Sequence, residues 1–156
     1  MELSGQIRTL CPPDLLVTIM RDPVTLAELL PQGSKMQLLT NGTYSFSVHK
    51  TVGPLKLTLP GTLQLTPDTQ GYDQTLTARA AHLIGGKVDL VLALHITSDG
   101  RITEVAYTGE LTATSLAGRV LQEQGARANV SLKAALTRLK HRAEDKWRRL
   151  PAKSRA

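Results

Sequence analysis

The chain has 156 residues, of which 41% are apolar and 3% aromatic, with one Cys, one Trp and one Phe. That length suits a single domain with an aliphatic core. It offers no aromatic platform for stacking bases, no apolar run of membrane-spanning length and, with Cys11 as its one cysteine, no internal disulfide. The net charge of +6 is unevenly placed: residues 1–137 hold eleven basic and eleven acidic side chains, and residues 138–156 hold eight and two. A neutral body with a basic end differs from a nucleic-acid-binding domain, whose charge covers a folded face, so no nucleic-acid partner is expected. The opening residues show neither a basic n-region nor an apolar h-region, and a cytoplasmic location is the expectation.

In chain order, Glu2 to Leu10 alternates as a strand, with Leu3 and Ile7 on one side and Glu2, Gln6 and Arg8 on the other. Pro12-Pro13 stops it. Asp14 to Met20 predicts a short helix. Asp22 is the expected N-cap of a second one, with Pro23 at its first position. Pro31-Gln32-Gly33 ends that helix, and the two together read as one bent, mobile lid. From Lys35 to Leu111 the chain reads as an antiparallel meander. Asn41-Gly42, Gly85-Gly86 and Asp99-Gly100 are hairpin dipeptides, with further breaks at Gly53-Pro54 and Pro67-Asp68. Strands are expected near 35–40, 43–51, 55–66, 72–84, 87–97 and 102–113, making seven with the first. A long helix is expected from Leu116 to Trp147, capped by Thr114 or Ser115 and ended by Pro151. Its stripe is Ala117, Leu121, Gly125, Ala128, Leu132, Ala135 or Leu136, and Leu139. The domain is thus read as residues 1–147, followed by a basic, frayed tail over 148–156.

Strand parity separates the two faces. Tyr44, Phe46 and Val48 point inward, as do Leu55, Leu57 and Leu59. So do Leu76, Ala78, Ala80, His82 and Ile84, then Val88 to Ile96 at alternate positions, and Val105, Tyr107, Gly109 and Leu111. The strand carboxylates Glu2, Asp73, Asp89, Glu104 and Glu110 all fall outward. Paired-carboxylate catalysis needs convergence on one interior site, and this parity does not supply it. The small inward residues Ala78, Ala80 and Gly109, facing Gly125, predict a cavity lined by aliphatics. The cavity set is Tyr44, Phe46, Leu57, Leu59, Leu76, Ala78, Ala80, His82, Leu92, Leu94, Tyr107, Leu121 and Gly125. His82, Tyr44 and Tyr107 are its polar members, able to orient a head group or to act as acid and base. A histidine satisfied within the core is the competing reading. Cys11, beside Pro12-Pro13, reads as a structural thiol. His49, His95 and His141 have no metal-site spacing, and no metal or cofactor is expected.

The order of strand, two short helices, six strands and long helix resembles the helix-grip fold of the START-like lipid-transfer and polyketide-cyclase superfamily. Met1-Glu2-Leu3-Ser4-Gly5, Asp22-Pro23 followed by Leu26-Ala27 and Leu30-Pro31-Gln32-Gly33, and Val52-Gly53-Pro54-Leu55-Lys56 with Gly61 are similar to segments of the carbon monoxide dehydrogenase G-subunit family. The resemblance implies an α+β fold: a seven-stranded antiparallel sheet wrapped around a long C-terminal helix, with two short helices between strands one and two. It also implies a non-catalytic accessory protein that holds a hydrophobic molecule such as a quinone or lipid. That protein would assist maturation or membrane recruitment of a molybdenum hydroxylase. A cyclase- or hydrolase-like enzyme using the same cavity is the alternative, and nucleic-acid binding through the tail ranks third. Lys146, Trp147, Arg148 and Arg149 are expected to give weak, salt-sensitive contact with an anionic membrane or an acidic partner, placing the protein at the inner face of a membrane.

Overall fold

A computed structural model describes residues 1–29, 34–40, 42–52, 54–68, 71–82, 86–114 and 125–151. The side chains at 29, 50–52, 55–57, 82, 125–129 and 131 are not among those described. The element order is β1 (Glu2–Thr9), α1 (Pro13–Met20), α2 (Pro23–Leu29), β2 (Lys35–Thr40), β3 (Thr43–Val52), β4 (Leu55–Pro67), β5 (Gln74–His82), β6 (Gly86–Ser98), β7 (Thr103–Ala113) and α3 (Gly125–Arg149). All seven strands form one antiparallel sheet in the order β1-β7-β6-β5-β4-β3-β2. This is the expected helix-grip architecture.

The turns follow their residues. Gly100 takes a φ of 94°, a left-handed conformation that glycine adopts without a Cβ penalty. Asp99 Oδ1 closes the same hairpin by accepting the Arg101 and Ile102 N–H groups at 2.9 and 2.8 Å. Asp22 caps α2 as predicted: Oδ1 accepts the Val24 N–H at 3.3 Å, and Pro23 is the first helical residue.

Two cores fill the concave side. In the first, Leu16, Ile19 and Met20 of α1 meet Ile7, Leu92, Leu94, Ile96, Val105 and Tyr107 of the sheet and Leu136, Leu139 and Ala143 of α3. The second joins Leu26 of α2 to Tyr44, Leu63 and Leu65. The first short helix is therefore a core element where a lid was expected, because three of its eight residues are buried. The buried stripe of α3 runs Leu132, Leu136, Leu139, Ala143 and Trp147 at helical steps of three and four. It continues further toward the C-terminus than the expected stripe. Ala117 and Leu121 fall outside the described residues. Thr114 prolongs the β6–β7 ladder: its N–H donates to the Lys87 carbonyl at 3.0 Å and its Oγ1 accepts the Lys87 N–H, while the expected helix start at Leu116 lies outside the described residues. β5 begins at Gln74 and not at Tyr72, because the Asp73 carboxylate turns across to accept the Ile96 N–H at 2.9 Å.

Candidate functional site

Register builds the inner wall row by row. One row reads Val105–Ile96. The next reads Tyr107–Leu94–Gln74, and the next Gly109–Leu92–Leu76–Leu65. These rows hold most of the buried inner-face residues and lie where α1 and the second half of α3 pack. Two further rows lie toward the β3–β4 and β5–β6 hairpins. They read Leu111–Leu90–Ala78–Leu63–Tyr44 and Ala113–Val88–Ala80–Gly61–Phe46. There the side chains of Leu111, Leu90, Ala78, Val88, Ala80 and Phe46, with Leu59 and Val48 beyond, are only half-buried. The sheet is thus sealed at one end and has an incompletely covered aliphatic wall at the other. A wall of this kind favours an apolar molecule, since covering it removes apolar surface from water.

Two glycines make room for rings on the inner face, Gly61 at the half-covered end and Gly5 at the sealed end. A Cβ on Gly61 would run into the ring of Phe46, its cross-strand partner. A Cβ on Gly5 would run into the ring and hydroxyl of Tyr107, its partner on β7. Both rings cover a strand position that has no side chain.

The polar groups divide sharply. Tyr44, 1% exposed, donates its hydroxyl to the Arg21 carbonyl at 2.5 Å. Burial raises its ionisation above the usual phenol range, partly offset by the Arg21 charge. The Arg21 guanidinium in turn donates to Gln74 Oε1 at 2.9 Å and to the Leu65 carbonyl at 3.3 Å. Tyr44 therefore ties α1 to the sheet. Tyr107 is also 1% exposed and also raised by burial, but among the described residues its hydroxyl has no partner. The His82 side chain lies outside the described residues. Cys11 is fully buried, and desolvation, helped by Asp14 and Glu144, pushes its thiol up to about 11. It is a thiol at neutral pH and a poor nucleophile. Glu144 of α3 accepts the Thr9 hydroxyl at 3.1 Å and the Leu10 N–H at 3.4 Å, fastening the helix to the end of β1.

Of the other expected cavity residues, Leu76 is half-buried beside both cores, while Leu92 and Leu94 are buried within the first. Gly125 begins α3. The Leu57 side chain and all of Leu121 lie outside the described residues. Lys146, Arg148 and Arg149 are exposed, with Arg149 paired to Asp145 at 3.1 Å. Trp147 is half-buried against the first core, so its ring serves the fold. The helix runs two residues beyond the expected domain boundary at 147. Among the described residues no helix is long and apolar enough to cross a membrane. The carboxylates keep their outward parity, and Arg8–Glu104 and Arg79–Asp89 pair across strands at 3.3 and 3.1 Å. An open hollow of about 760 Å³ lies on that outer face, but its carboxylates Glu2 and Glu110 face each other across β1–β7. Repulsion between them and free access of water make it a poor site for an apolar ligand. The roles of Gly5, Arg21 and Gln74 were missed from sequence. Gly5 carried a signal, its inward parity, but the strand opposite it was not assigned.

The arrangement, a seven-stranded antiparallel sheet with two short helices after β1 and a C-terminal helix, is a fold that the chain shares with solved structures. A conserved protein from Geobacillus kaustophilus shares 14% identity, with 93% of this chain and 96% of that one covered and a TM-score of 0.77. The Zhui aromatase/cyclase from Streptomyces sp. R1128 shares 15%, with 100% and 99% covered and a TM-score of 0.64. The di-domain ARO/CYC BexL from the BE-7585A biosynthetic pathway shares 12%, with 92% of this chain and 50% of that one covered and a TM-score of 0.56. No family model and no curated protein matches the chain. Two expectations are corrected by these findings. The fold is shared with aromatase/cyclases, so it gives no ground for reading the chain as a non-enzyme. The assignment to the G-subunit family of carbon monoxide dehydrogenase, with its accessory role, has no family match behind it. Of the turn motifs that suggested it, Asp22-Pro23 serves helix capping, and Gly53 lies outside the described residues.

Proposed function

We propose that the protein binds a small apolar molecule between the sheet and α3 and acts on it as a cyclase- or hydrolase-type enzyme. The observation that carries this reading is the half-buried aliphatic wall of Phe46, Ala78, Ala80, Val88, Leu90 and Leu111 at one end of an otherwise sealed sheet. The fold shared with aromatase/cyclases supports the catalytic half. Ring closure of a carbonyl compound moves one C–H proton, forms one C–C bond and returns a proton to the acceptor oxygen. Such a step needs a dry site and proton-handling groups, not a convergent carboxylate pair. Tyr107, which is buried on the inner face, and His82, which strand alternation in the sequence puts on the parity of Ala78 and Ala80, are the candidates. A partnership with a molybdenum hydroxylase rests on the turn motifs alone, and co-purification with such an enzyme tests it.

Ala80→Phe tests the binding site. Ala80 faces Gly61 and Val88, so the added ring fills the wall without replacing a buried side chain. The parent is expected to take up N-phenyl-1-naphthylamine with a rise in fluorescence, and Ala80→Phe to lose that uptake at unchanged melting temperature. Equal uptake by both removes the wall as the site. With uptake established, failure to speed closure of any 1,5-diketone would remove the cyclase half.

A further inference from the structure

The sheet ends at β2, and among the described residues no strand pairs with its outer side. About half of its backbone N–H and C=O groups therefore point away from β3 without a ladder partner. Folded chains guard such an edge with charges, proline or bulges. β2 has no proline and one charge, Lys35, at its first position. Its register irregularity falls between Leu38 and Thr40, which leaves Lys35 to Leu38 regular. Leu38 and Leu39 are 46% and 54% exposed.

The incompletely covered rows of the inner face run out at this edge. The row of Leu90, Ala78 and Tyr44 finishes at Leu38, and the row of Val88, Ala80 and Phe46 finishes at Met36. Met36 and Leu38 thus share the inner face, and Gln37 between them lies on the outer one. Antiparallel pairing of β2 with its own copy turns about an axis normal to the sheet. Every side chain keeps its face under that rotation, so the centre of the pairing falls on a residue. Centred on Leu38, it would set Met36 opposite Thr40. Centred on Gln37, it sets Met36 of each copy opposite Leu38 of the other, and both rows continue across the axis as apolar pairs. The two Lys35 side chains then lie at opposite ends, and no like charges face each other. The edge is self-complementary in this one register.

We propose that β2 is a homodimer interface: a second copy of the chain pairs with it antiparallel about Gln37, joining the two sheets edge to edge. The inference stands apart from the interior ligand, because the pairing uses backbone groups and surface side chains alone. A few rungs of one short strand bury less than the about 1,600 Å² of a standard interface, so the dimer is reversible and dissociates on the order of 100 µM.

Sedimentation velocity of the full chain, over a dilution series spanning that concentration, tests it. The parent is expected to pass from dimer to monomer along the series. Leu38→Lys sets a charge against Met36 at two rungs and is expected to weaken dimerisation at least about tenfold. Gln37→Glu and Gln37→Lys each oppose two like charges at the centre and are expected to weaken it about fivefold. An equimolar mixture of those two opposes unlike charges and is expected to recover the parent's association. Gln37 is exposed, so both variants keep the parent's melting temperature. A parent that stays monomeric throughout overturns the inference. Dimerisation that Leu38→Lys leaves unchanged overturns it too, by placing the interface elsewhere. A mixture that associates no better than either Gln37 variant alone overturns the pairing about Gln37.

Discussion

Leu139→Ala puts the grip of the helix to a quantitative test. Leu139 is 1% exposed and lies midway along the buried stripe of α3, packed in the first core with Ile7, Leu16 and Leu94 among others. The change removes three carbons from a site walled by three elements. At about 0.8 kcal/mol per buried carbon the transfer loss is about 2.4 kcal/mol. The residual void adds to that, and comparable substitutions cost about 2–5 kcal/mol in total. About 3.5 kcal/mol is the expected loss here, because Glu144 ties α3 to the end of β1 and the helix cannot easily close in. For a chain of this size that lowers the melting temperature by about 7–14 °C. Urea unfolding followed by circular dichroism measures it, with an unchanged slope confirming that the same surface is exposed. Val130→Ala on the same helix, at a position 69% exposed, is the control and should cost under about 0.5 kcal/mol. A loss under about 1 kcal/mol for Leu139→Ala would refute the packing of this helix face against the sheet.

Three other outcomes are expected. Cys11 should resist maleimide at pH 7.5 in the folded protein and react fully in denaturant, since its thiol is buried and raised to about 11; reaction at the rate of a free thiol would contradict its place in the core. The Asp73 carboxyl is held below its ordinary range by the Ile96 N–H, then by His95, so its contribution to stability is present above the unfolded value and lost as pH falls through the folded one. The stability gap between the parent and Asp73→Asn should therefore shrink as pH falls below about 4, and a constant gap between pH 6 and 2 would refute the assignment. The peripheral membrane location proposed for the basic end predicts salt-sensitive sedimentation with anionic vesicles that weakens in an Arg148→Gln, Arg149→Gln variant by about 1 kcal/mol per charge. That variant leaves Trp147 in the core, and equal recovery with neutral vesicles would exclude this location.

Local chemistry made much of the fold legible. Glycines at turns, the Asp22-Pro23 cap and period-two alternation are short-range signals, and each put its element within a few residues of where it lies. Parity also separated buried from exposed strand positions: Tyr44, Leu92, Leu94, Ile96, Val105 and Tyr107, all read as inward, are buried. What stayed hidden depended on distant partners. The pairing of β1 with β7 joins residues about a hundred positions apart, so nothing near Gly5 announced that Tyr107 would cover it. Likewise Trp147 sits among basic residues in sequence and reads as an interfacial ring, but helical periodicity carries it onto the core stripe. The distinction between Tyr44 and Tyr107 was equally out of reach. Both alternate inward and are buried, and only the Arg21 carbonyl, delivered by the end of α1, gives Tyr44 a hydrogen-bond partner that Tyr107 lacks among the described residues. The expectation that the chain is not an enzyme came from the family resemblance, the neutral body, the aliphatic interior and the outward carboxylates; the last exclude one kind of catalysis and say nothing of tyrosine or histidine chemistry.

The central claim is that the interior accepts an apolar guest, and native mass spectrometry weighs such a guest directly. Protein purified without detergent is incubated with 2-acetylnaphthalene and sprayed under gentle conditions beside Ala80→Phe. The account predicts a one-to-one adduct, or a retained cellular molecule that the ketone displaces, in the parent and not in the variant. A bare parent mass under both conditions, or an adduct of equal abundance in Ala80→Phe, would contradict it.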